Sequence, residues 1–354
     1  MTQIRVLVVD DSALVRRLVT TALSQAPDVV VAGVARDGLE AVRMVDELKP
    51  DVVTLDIEMP VLDGLGALTK IRAKHPRLPV IMFSTLTERG ASATLDALSR
   101  GASDYVTKPS NTGQIADGIA AVRDQLVPRI RALAGLRKLT PASGAPIVRR
   151  TRPTRAGAPA PVEALLIGCS TGGPDALARL IPRLPADLGV PVLVVQHMPP
   201  VFTAMLAQRL DKSSALQVRE AADRDVVRPG EVLIAPGDHH MRIQRSAGAV
   251  RVVLDQGPQE NFCRPAVDVL FRSALDIYGS GALVTVLTGM GQDGLAGTRQ
   301  LAERGASVLV QDEETSVVWG MPGAVAGAGL ADDVLPLERI ADRITTLVRR
   351  VAVR

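Results

Sequence analysis

Residues 165–175 (LLIGCSTGGPD) carry an apolar segment into a glycine-rich bend that contains two candidate nucleophiles, Cys169 and Ser170. The bend satisfies the pattern G-x-S-x-G around Ser170, in which a serine stands on a sharp turn between a strand and a helix. The glycines also have the spacing of a P-loop, but Pro174 and Asp175 stand where that loop needs lysine and serine or threonine. A serine hydroxyl is therefore the favoured nucleophile, and the P-loop is excluded.

A serine nucleophile needs a base and an acid that orients the base. His197 follows the strand-like segment Pro191–Gln196, and Asp293 follows the strand-like segment Ala282–Leu287. Carboxyl ends of parallel strands meet at one edge of a sheet, which predicts that these side chains approach Ser170. The chain order Ser, His, Asp differs from that of α/β-hydrolases, but such triads recur in several orders.

The glycines of residues 289–294 also form G-x-G-x-x-G, and Asp312 ends the next predicted strand. Strand, glycine loop, helix, strand and acid together are typical of a dinucleotide-binding site. An NAD-dependent oxidoreductase that uses the Gly289–Gly294 loop therefore stays open as the alternative. Asp293 argues against it, since a carboxylate inside the loop would oppose a pyrophosphate.

A second chemical group lies at the predicted strand ends of the N-terminal part. Asp10, Asp11 and Asp56 supply three carboxylates, Ser84 a hydroxyl and Lys108 an ammonium. Three acids suit Mg²⁺, and a metal with a lysine would neutralise a phosphoryl group between them. Asp56 is then a candidate acceptor for that group.

The elements that must position these residues form two α/β parts joined by a tether. Residues 1–126 show five β/α repeats, which predict a flavodoxin-like doubly wound parallel sheet. Residues 163–354 resume the alternation and predict a second doubly wound, mostly parallel domain that includes one hairpin. Residues 127–162 are rich in Pro, Ala, Gly and Arg and predict a linker; a helical continuation of its first part, through Lys138, stays open.

The composition excludes several classes of function. The net charge of +3 comes from residues 127–162, which hold eight Lys and Arg and no acid. Residues 163–354 hold 19 basic and 22 acidic residues, which disagrees with the DNA-binding helix-turn-helix of a transcriptional regulator. Two cysteines without metal-ligand spacing and no apparent signal peptide or membrane span predict a cytoplasmic protein that binds no nucleic acid and is not membrane-inserted.

The N-terminal motifs resemble the response-regulator receiver domain. They are LVVDDS at residues 7–12, LDIEMP at 55–60, DG at 63–64 and KP at 108–109. The resemblance implies phosphorylation of Asp56 with Mg²⁺ held by Asp10, Asp11 and Asp56. It also implies Lys108 on the phosphoryl oxygens, and Ser84 with Tyr105 as a switch pair.

The C-terminal motifs resemble the chemotaxis protein-glutamate methylesterase family. They are IGCSTGGP at residues 167–174, QHMP at 196–199, RPAVDVLF at 264–271 and TGMGQDG at 288–294. The resemblance implies a carboxylic ester hydrolase that cleaves glutamate γ-methyl esters on chemoreceptors and releases methanol, with possible glutamine deamidation. The implied roles are nucleophile for Ser170, base for His197, orienting acid for Asp293 and backbone oxyanion donors for Thr171 and Met290.

Control and partners follow from the same resemblance. The expected partners are methylated chemoreceptors as substrate and a chemotaxis histidine kinase as phosphodonor. The receiver domain is expected to inhibit the hydrolase until Asp56 is phosphorylated. Mg²⁺ is expected at the receiver domain, and no cofactor is expected for ester hydrolysis.

Overall fold

The structure, a computed structural model, describes residues 3–109, 115–138 and 160–349 of the chain. The chain divides into two compact units, residues 1–144 and 145–354, which are described separately below. In the described ranges, no helix is long and apolar enough to cross a membrane.

The first unit is built on five parallel strands: β1 (Ile4–Val9), β2 (Val29–Ala35), β3 (Val52–Asp56), β4 (Val80–Ser84) and β5 (Asp104–Thr107). Their order in the sheet is β2-β1-β3-β4-β5, the order of flavodoxin-like folds. Every residue of β3 and β4 is buried, as expected for strands covered on both faces by helices. The sequence predicts strands at residues 4–9, 29–34, 52–55, 80–83 and 104–106; the observed strands match these ranges, and β2 to β5 each continue one residue further. The predicted fold of this unit is confirmed.

Five helices alternate with these strands: α1 (Ala13–Ser24), α2 (Gly38–Leu48), α3 (Gly64–Lys74), α4 (Glu88–Ser99) and α5 (Ile115–Lys138). The first four begin after a residue whose side-chain oxygen accepts a backbone amide of the first turn: Ser12, Asp37, Asp63 and Thr87. These caps satisfy amides that have no partner inside the helix. They place the helix starts close to the sheet edge that holds the acidic residues.

Helix α5 crosses the predicted domain boundary at residue 126 and continues to Lys138. Buried apolar side chains recur along it from Val122 to Ala134, and Arg131 forms an ion pair with Asp28 at 2.7 Å. The first part of the predicted linker is thus helical, because its apolar spacing persists where the composition already resembles a tether. Residues 139–159 of that linker lie outside the described residues.

The second unit contains a seven-stranded sheet in which all pairings are parallel. Its strands are β6 (Ala164–Cys169), β7 (Val192–Gln196), β8 (Gln217–Glu220), β9 (Glu231–Ile234), β12 (Ala282–Val286), β13 (Ser307–Gln311) and β14 (Asp333–Leu335). A separate antiparallel hairpin joins β10 (His240–Ser246) to β11 (Ala249–Asp255). The mostly parallel α/β prediction is confirmed. The sequence analysis did not predict β8 and β14, which are short, largely half-exposed edge strands.

The strand order β14-β13-β12-β6-β7-β9-β8 places β6 near the centre of this sheet. The chain leaves β6 for β7 on one side and later returns to β12 on the other side. Such a reversal of strand order opens a crevice at the carboxyl ends of the strands. Six helices cover the sheet: α6 (Gly173–Leu180), α7 (Phe202–Asp211), α8 (Val267–Ala274), α9 (Leu295–Arg304), α10 (Met321–Gly327) and α11 (Leu337–Arg349). The loops after β6, β7 and β12 carry Ser170, His197 and Asp293, so the reversal of strand order directs all three to this crevice.

Candidate functional site

Ser170 stands on a tight turn between β6 and α6. Its amide donates to the Thr288 carbonyl at 3.0 Å, and its carbonyl accepts the Gly173 amide at 2.7 Å. Gly172 has a φ of +77°, a left-handed conformation that glycine adopts without steric cost. The backbone of Ser170 is therefore fixed, while its hydroxyl has no hydrogen-bond partner in the part of the chain that the structure describes.

The loop after β12 lies directly against Ser170. A Cβ at Gly289 would stand 2.9 Å from the Ser170 Cβ and would collide with the Met321 sulfur, so this contact requires glycine. Met290 is the next residue, and its amide meets no acceptor within the described ranges. The same loop also contacts Thr171, a buried residue whose carbonyl accepts the Thr288 hydroxyl at 2.9 Å. The two residues predicted as oxyanion donors thus flank Ser170.

The half-buried His197 and the buried Asp293 form a pair. The His197 Nε2 lies 2.8 Å from the Asp293 Oδ2, and the His197 amide donates to the Cys169 carbonyl at 3.2 Å. The first contact joins residues that are 96 positions apart in the chain, and the second holds the histidine beside the end of β6. The residue predicted as base and the residue predicted as orienting acid therefore meet at the crevice.

Asp293 accepts four further hydrogen bonds. Its Oδ2 also accepts the Val267 amide at 2.7 Å. Its Oδ1 accepts the Asp268 and Gly294 amides at 3.0 and 2.9 Å and the Asn261 side-chain amide at 3.0 Å. Two of these donors are the first amides of α8, where the helix dipole favours a negative charge. Burial alone would raise the pKa of Asp293, but His197 and the amide donors lower it, so the carboxylate is ionised.

The second ring nitrogen of His197 faces a thiol. Cys263 Sγ lies 3.4 Å from His197 Nδ1, and Cys263 is half-buried. Burial would lower the pKa of His197, but the Asp293 carboxylate and the Cys263 sulfur outweigh it and raise this pKa to about 10. Because Nε2 is bound to Asp293, Nδ1 is the nitrogen left to accept a serine proton, and in this structure Nδ1 contacts Cys263.

Gln196 connects the turn of the serine to the histidine. Its Nε2 donates to the carbonyl of Ser170 at 3.0 Å and to that of His197 at 3.1 Å. The residue is buried, and it is the last residue of β7. The sequence analysis did not assign it a role, although a glutamine that ends an otherwise apolar strand was a signal for one.

The glycine-rich loop gives the dinucleotide interpretation no support. The Gly294 amide, which would face a phosphate, donates instead to the Asp293 carboxylate. Asp312, the expected ribose-binding acid, accepts the Thr315 amide and hydroxyl at 3.0 and 2.7 Å. Both groups are engaged within their own loops.

The acidic residues of the first unit meet at the carboxyl edge of its sheet. Lys108 Nζ lies 2.9 Å from Asp10 Oδ2 and 2.8 Å from Asp56 Oδ2. One oxygen from each of Asp10, Asp11 and Asp56 lies within 4.8 Å of the others. Ser84, at the end of β4, donates to the Gly90 carbonyl at 3.1 Å. Tyr105 lies in β5 and is buried, and burial raises its phenol pKa.

The charges of this pocket fit a divalent cation. Burial, together with the charge of Asp10, raises the pKa of Asp56 to about 6 although Lys108 opposes this shift. Burial also raises the pKa of Asp10. Raised carboxyl pKa values indicate negative charge that a single ammonium does not fully compensate. Three clustered carboxylates are ligands that Mg²⁺ prefers, so these residues fit the ion.

Comparison with known proteins places both units in described families. Residues 165–344 match the model of the CheB methylesterase, and residues 6–120 match that of the response regulator receiver domain. A protein-glutamate methylesterase/protein-glutamine glutaminase of Nocardioides sp. is 53% identical over 99% of this chain and 96% of its own length. One of the same name from Trichodesmium erythraeum is 48% identical over 99% of this chain and 100% of its own length.

A solved structure resembles the second unit. The crystal structure of the Thermotoga maritima CheB methylesterase catalytic domain is 45% identical, with a TM-score of 0.52. It covers 53% of this chain, and 100% of that chain is matched. The crystallised chain therefore corresponds to the second unit of this protein.

Proposed function

Because the chain belongs to the CheB methylesterase family and carries a response regulator receiver domain, we infer that it removes methyl groups from glutamate side chains of chemoreceptors. The observation that carries this proposal is the hydrogen-bonded His197–Asp293 pair beside the fixed turn of Ser170. The relatives' names also include protein-glutamine glutaminase, so we extend the proposal to glutamine side chains. Release of methanol from methylated receptor membranes tests the esterase activity.

In the acylation step, the Ser170 oxygen attacks the ester carbonyl carbon and His197 accepts the serine proton. Asp293 already binds Nε2, so Nδ1 is the nitrogen that takes this proton. Nδ1 must then leave Cys263 and face Ser170, which agrees with catalytic hydrogen bonds that form only in the substrate complex. The ionised Asp293 stabilises the imidazolium that results.

The negative charge that develops on the carbonyl oxygen needs donors. The backbone amides of Thr171 and Met290 are the proposed donors, because both residues flank Ser170. Collapse of the tetrahedral intermediate breaks the carbon–oxygen bond to the methoxy group, and His197 returns the proton so that methanol leaves. Water then attacks the acyl-serine with His197 again as base, which yields glutamate and free Ser170. With a glutamine side chain the leaving group is ammonia.

The first unit supplies the control. Asp56 is the proposed phosphoacceptor, and Asp10, Asp11 and Asp56 would hold Mg²⁺, which would neutralise charge on the transferred phosphoryl group. Lys108 bonds Asp56 at 2.8 Å and would bind a phosphoryl oxygen after transfer. Ser84 and Tyr105 are the proposed switch pair, and a chemotaxis histidine kinase is the proposed phosphodonor. Phosphorylation is proposed to relieve inhibition of the hydrolase by the receiver domain, as a shift between two populations.

Asp56→Asn is expected to abolish the stimulation of methanol release by a small-molecule phosphodonor with Mg²⁺. An amide cannot accept the phosphoryl group, so the population shift has no trigger. Asp117→Asn, at an exposed acid in the first turn of α5, is the matched control and should keep the stimulation. Equal stimulation of Asp56→Asn and wild type would exclude Asp56 as the acceptor.

A truncated chain that begins at residue 160 distinguishes relief of inhibition from direct activation. The catalytic domain of the Thermotoga maritima relative was crystallised on its own, which supports independent folding of this part. If the receiver domain inhibits, the truncated protein should release methanol without phosphodonor at least as fast as the stimulated full chain. A truncated protein as slow as the unstimulated chain would exclude inhibition.

Cys263→Ala is expected to shift the pH dependence of ester hydrolysis to lower pH. His197 acts as a base only when it is neutral, and Cys263 is one of two groups seen to raise its pKa, the other being Asp293. Loss of the sulfur lowers that pKa, so the rate should reach half of its maximum at a lower pH. Cys263→Ser keeps a hydrogen-bonding group at Nδ1 and should shift the profile less. Superimposable profiles of wild type and Cys263→Ala would show that the contact does not influence the base.

A further inference from the structure

The turn at residues 260–263 has an unusual backbone. The amide of Glu260 donates to the Cys263 carbonyl at 3.1 Å, and the amide of Cys263 donates to the Glu260 carbonyl at 2.8 Å. The two central residues, Asn261 and Phe262, have φ values of +51° and +63°. Two-residue turns of this type demand positive φ at both positions, and asparagine or glycine usually fills them. A phenylalanine there is a steric outlier.

Both neighbours of Phe262 contact the proposed catalytic residues. Asn261 donates to Asp293 Oδ1 at 3.0 Å, and Cys263 Sγ lies 3.4 Å from His197 Nδ1. Glu260 is held by Arg272 through contacts of 2.5 and 2.7 Å. These contacts fix the turn at the crevice. Among the described residues, Phe262 is the one member of the turn whose side chain has no hydrogen-bond or ion-pair partner.

The phenyl ring contributes nothing visible to the packing of the domain. Phe262 is 97% exposed, and the other exposed large apolar side chains of the described residues all belong to the first unit. A strained backbone that presents an unpacked ring to solvent is unfavourable for folding, and such outliers cluster at functional sites. The ring therefore points to a contact that exists only when a partner is bound.

We propose that Phe262 is the docking residue for the substrate protein and inserts its ring into an apolar patch beside the esterified glutamate. This docking role rests on the proposed function, and it explains how the Ser170 site selects its protein substrate. A glutamyl ester that reaches Ser170 brings its own backbone to the rim of the crevice, where the 260–263 turn stands. Exposed aromatic rings that become buried on binding are frequent anchors of protein interfaces. A small free ester has no such apolar patch, so the Phe262 ring does not strengthen its binding.

The test compares two substrates for the full-length protein: methylated receptor membranes and the γ-methyl ester of N-acetylglutamate amide. Phe262→Ala should lower kcat/KM for the receptors about tenfold to a hundredfold and leave kcat/KM for the small ester within about twofold. Phe262→Gly should show the same selective loss without a lower midpoint of thermal unfolding, because glycine adopts positive φ freely. Phe262→Trp should retain receptor activity, as should Leu39→Ala, a control at an exposed apolar residue of the first unit.

The outcomes separate the two proposals. An equal loss on both substrates would show that Phe262 supports the geometry of the triad and would overturn docking. Unchanged receptor activity in Phe262→Ala and Phe262→Gly would also overturn it. Wild type that hydrolyses neither receptors nor the small ester would refute the proposed function, and the docking role would fall with it.

Discussion

Replacement of Ser170 by alanine is expected to reduce methanol release from methylated receptor membranes by about 10³-fold to 10⁶-fold. The hydroxyl oxygen is the only heavy atom lost, and the Ser170 backbone bonds to Thr288 and Gly173 remain. The protein should therefore fold as before and still bind receptors, while no acyl-enzyme forms. Methanol release at saturating phosphodonor and a thermal unfolding midpoint are the two measurements.

Ser246→Ala is the matched control for this variant. Ser246 ends β10 and is exposed, so the same change of side chain there should alter neither measurement. Substantial methanol release by Ser170→Ala would exclude the serine mechanism. In that case Cys263, which contacts His197 Nδ1 at 3.4 Å, would be the nucleophile to examine next.

Asp293→Asn is expected to lower methanol release by about 10³-fold to 10⁴-fold. An asparagine has one acceptor oxygen and one amino group, whereas both oxygens of Asp293 accept bonds from N–H donors. Whichever way the asparagine amide is oriented, its NH₂ group faces N–H donors that the Asp293 carboxylate accepts, so those donors lose their acceptor. The free energy of unfolding should also fall by about 2–4 kcal/mol, since buried donors lose their acceptor. His197 then loses the charge that stabilises its protonated form.

Asp312→Asn is the informative control, because Asp312 is the acid of the dinucleotide alternative. The hydrogen bonds of its carboxylate are confined to the amide and hydroxyl of Thr315 in the same loop. Methanol release should stay within about twofold of wild type. If Asp312→Asn abolished activity and Asp293→Asn did not, the orienting role of Asp293 would be refuted.

The sequence predicted the strands that carry the site with small errors, because buried parallel strands are short apolar runs and glycines mark their ends. The edge strands β8 and β14 escaped prediction, since each is short and its half-exposed, mixed composition resembles a loop. The end of α5 was difficult to predict because its residue spacing and its composition indicate different structures. Its helical spacing continues through Ala134 within a stretch whose composition indicates a linker.

The sequence by itself determined which side chains have the chemistry for the site and which strand ends carry them. Ser170, His197 and Asp293 each follow an apolar strand, and strand ends of a parallel sheet converge whatever the loops do. Only the tertiary structure decided the partners: Asn261 and the first amides of α8 on Asp293, Gln196 between the serine turn and the histidine, and Cys263 on His197. The Cys263–His197 contact joins residues that are 66 positions apart. Such pairings depend on how loops close and helices pack over the sheet, and no local pattern encodes that geometry.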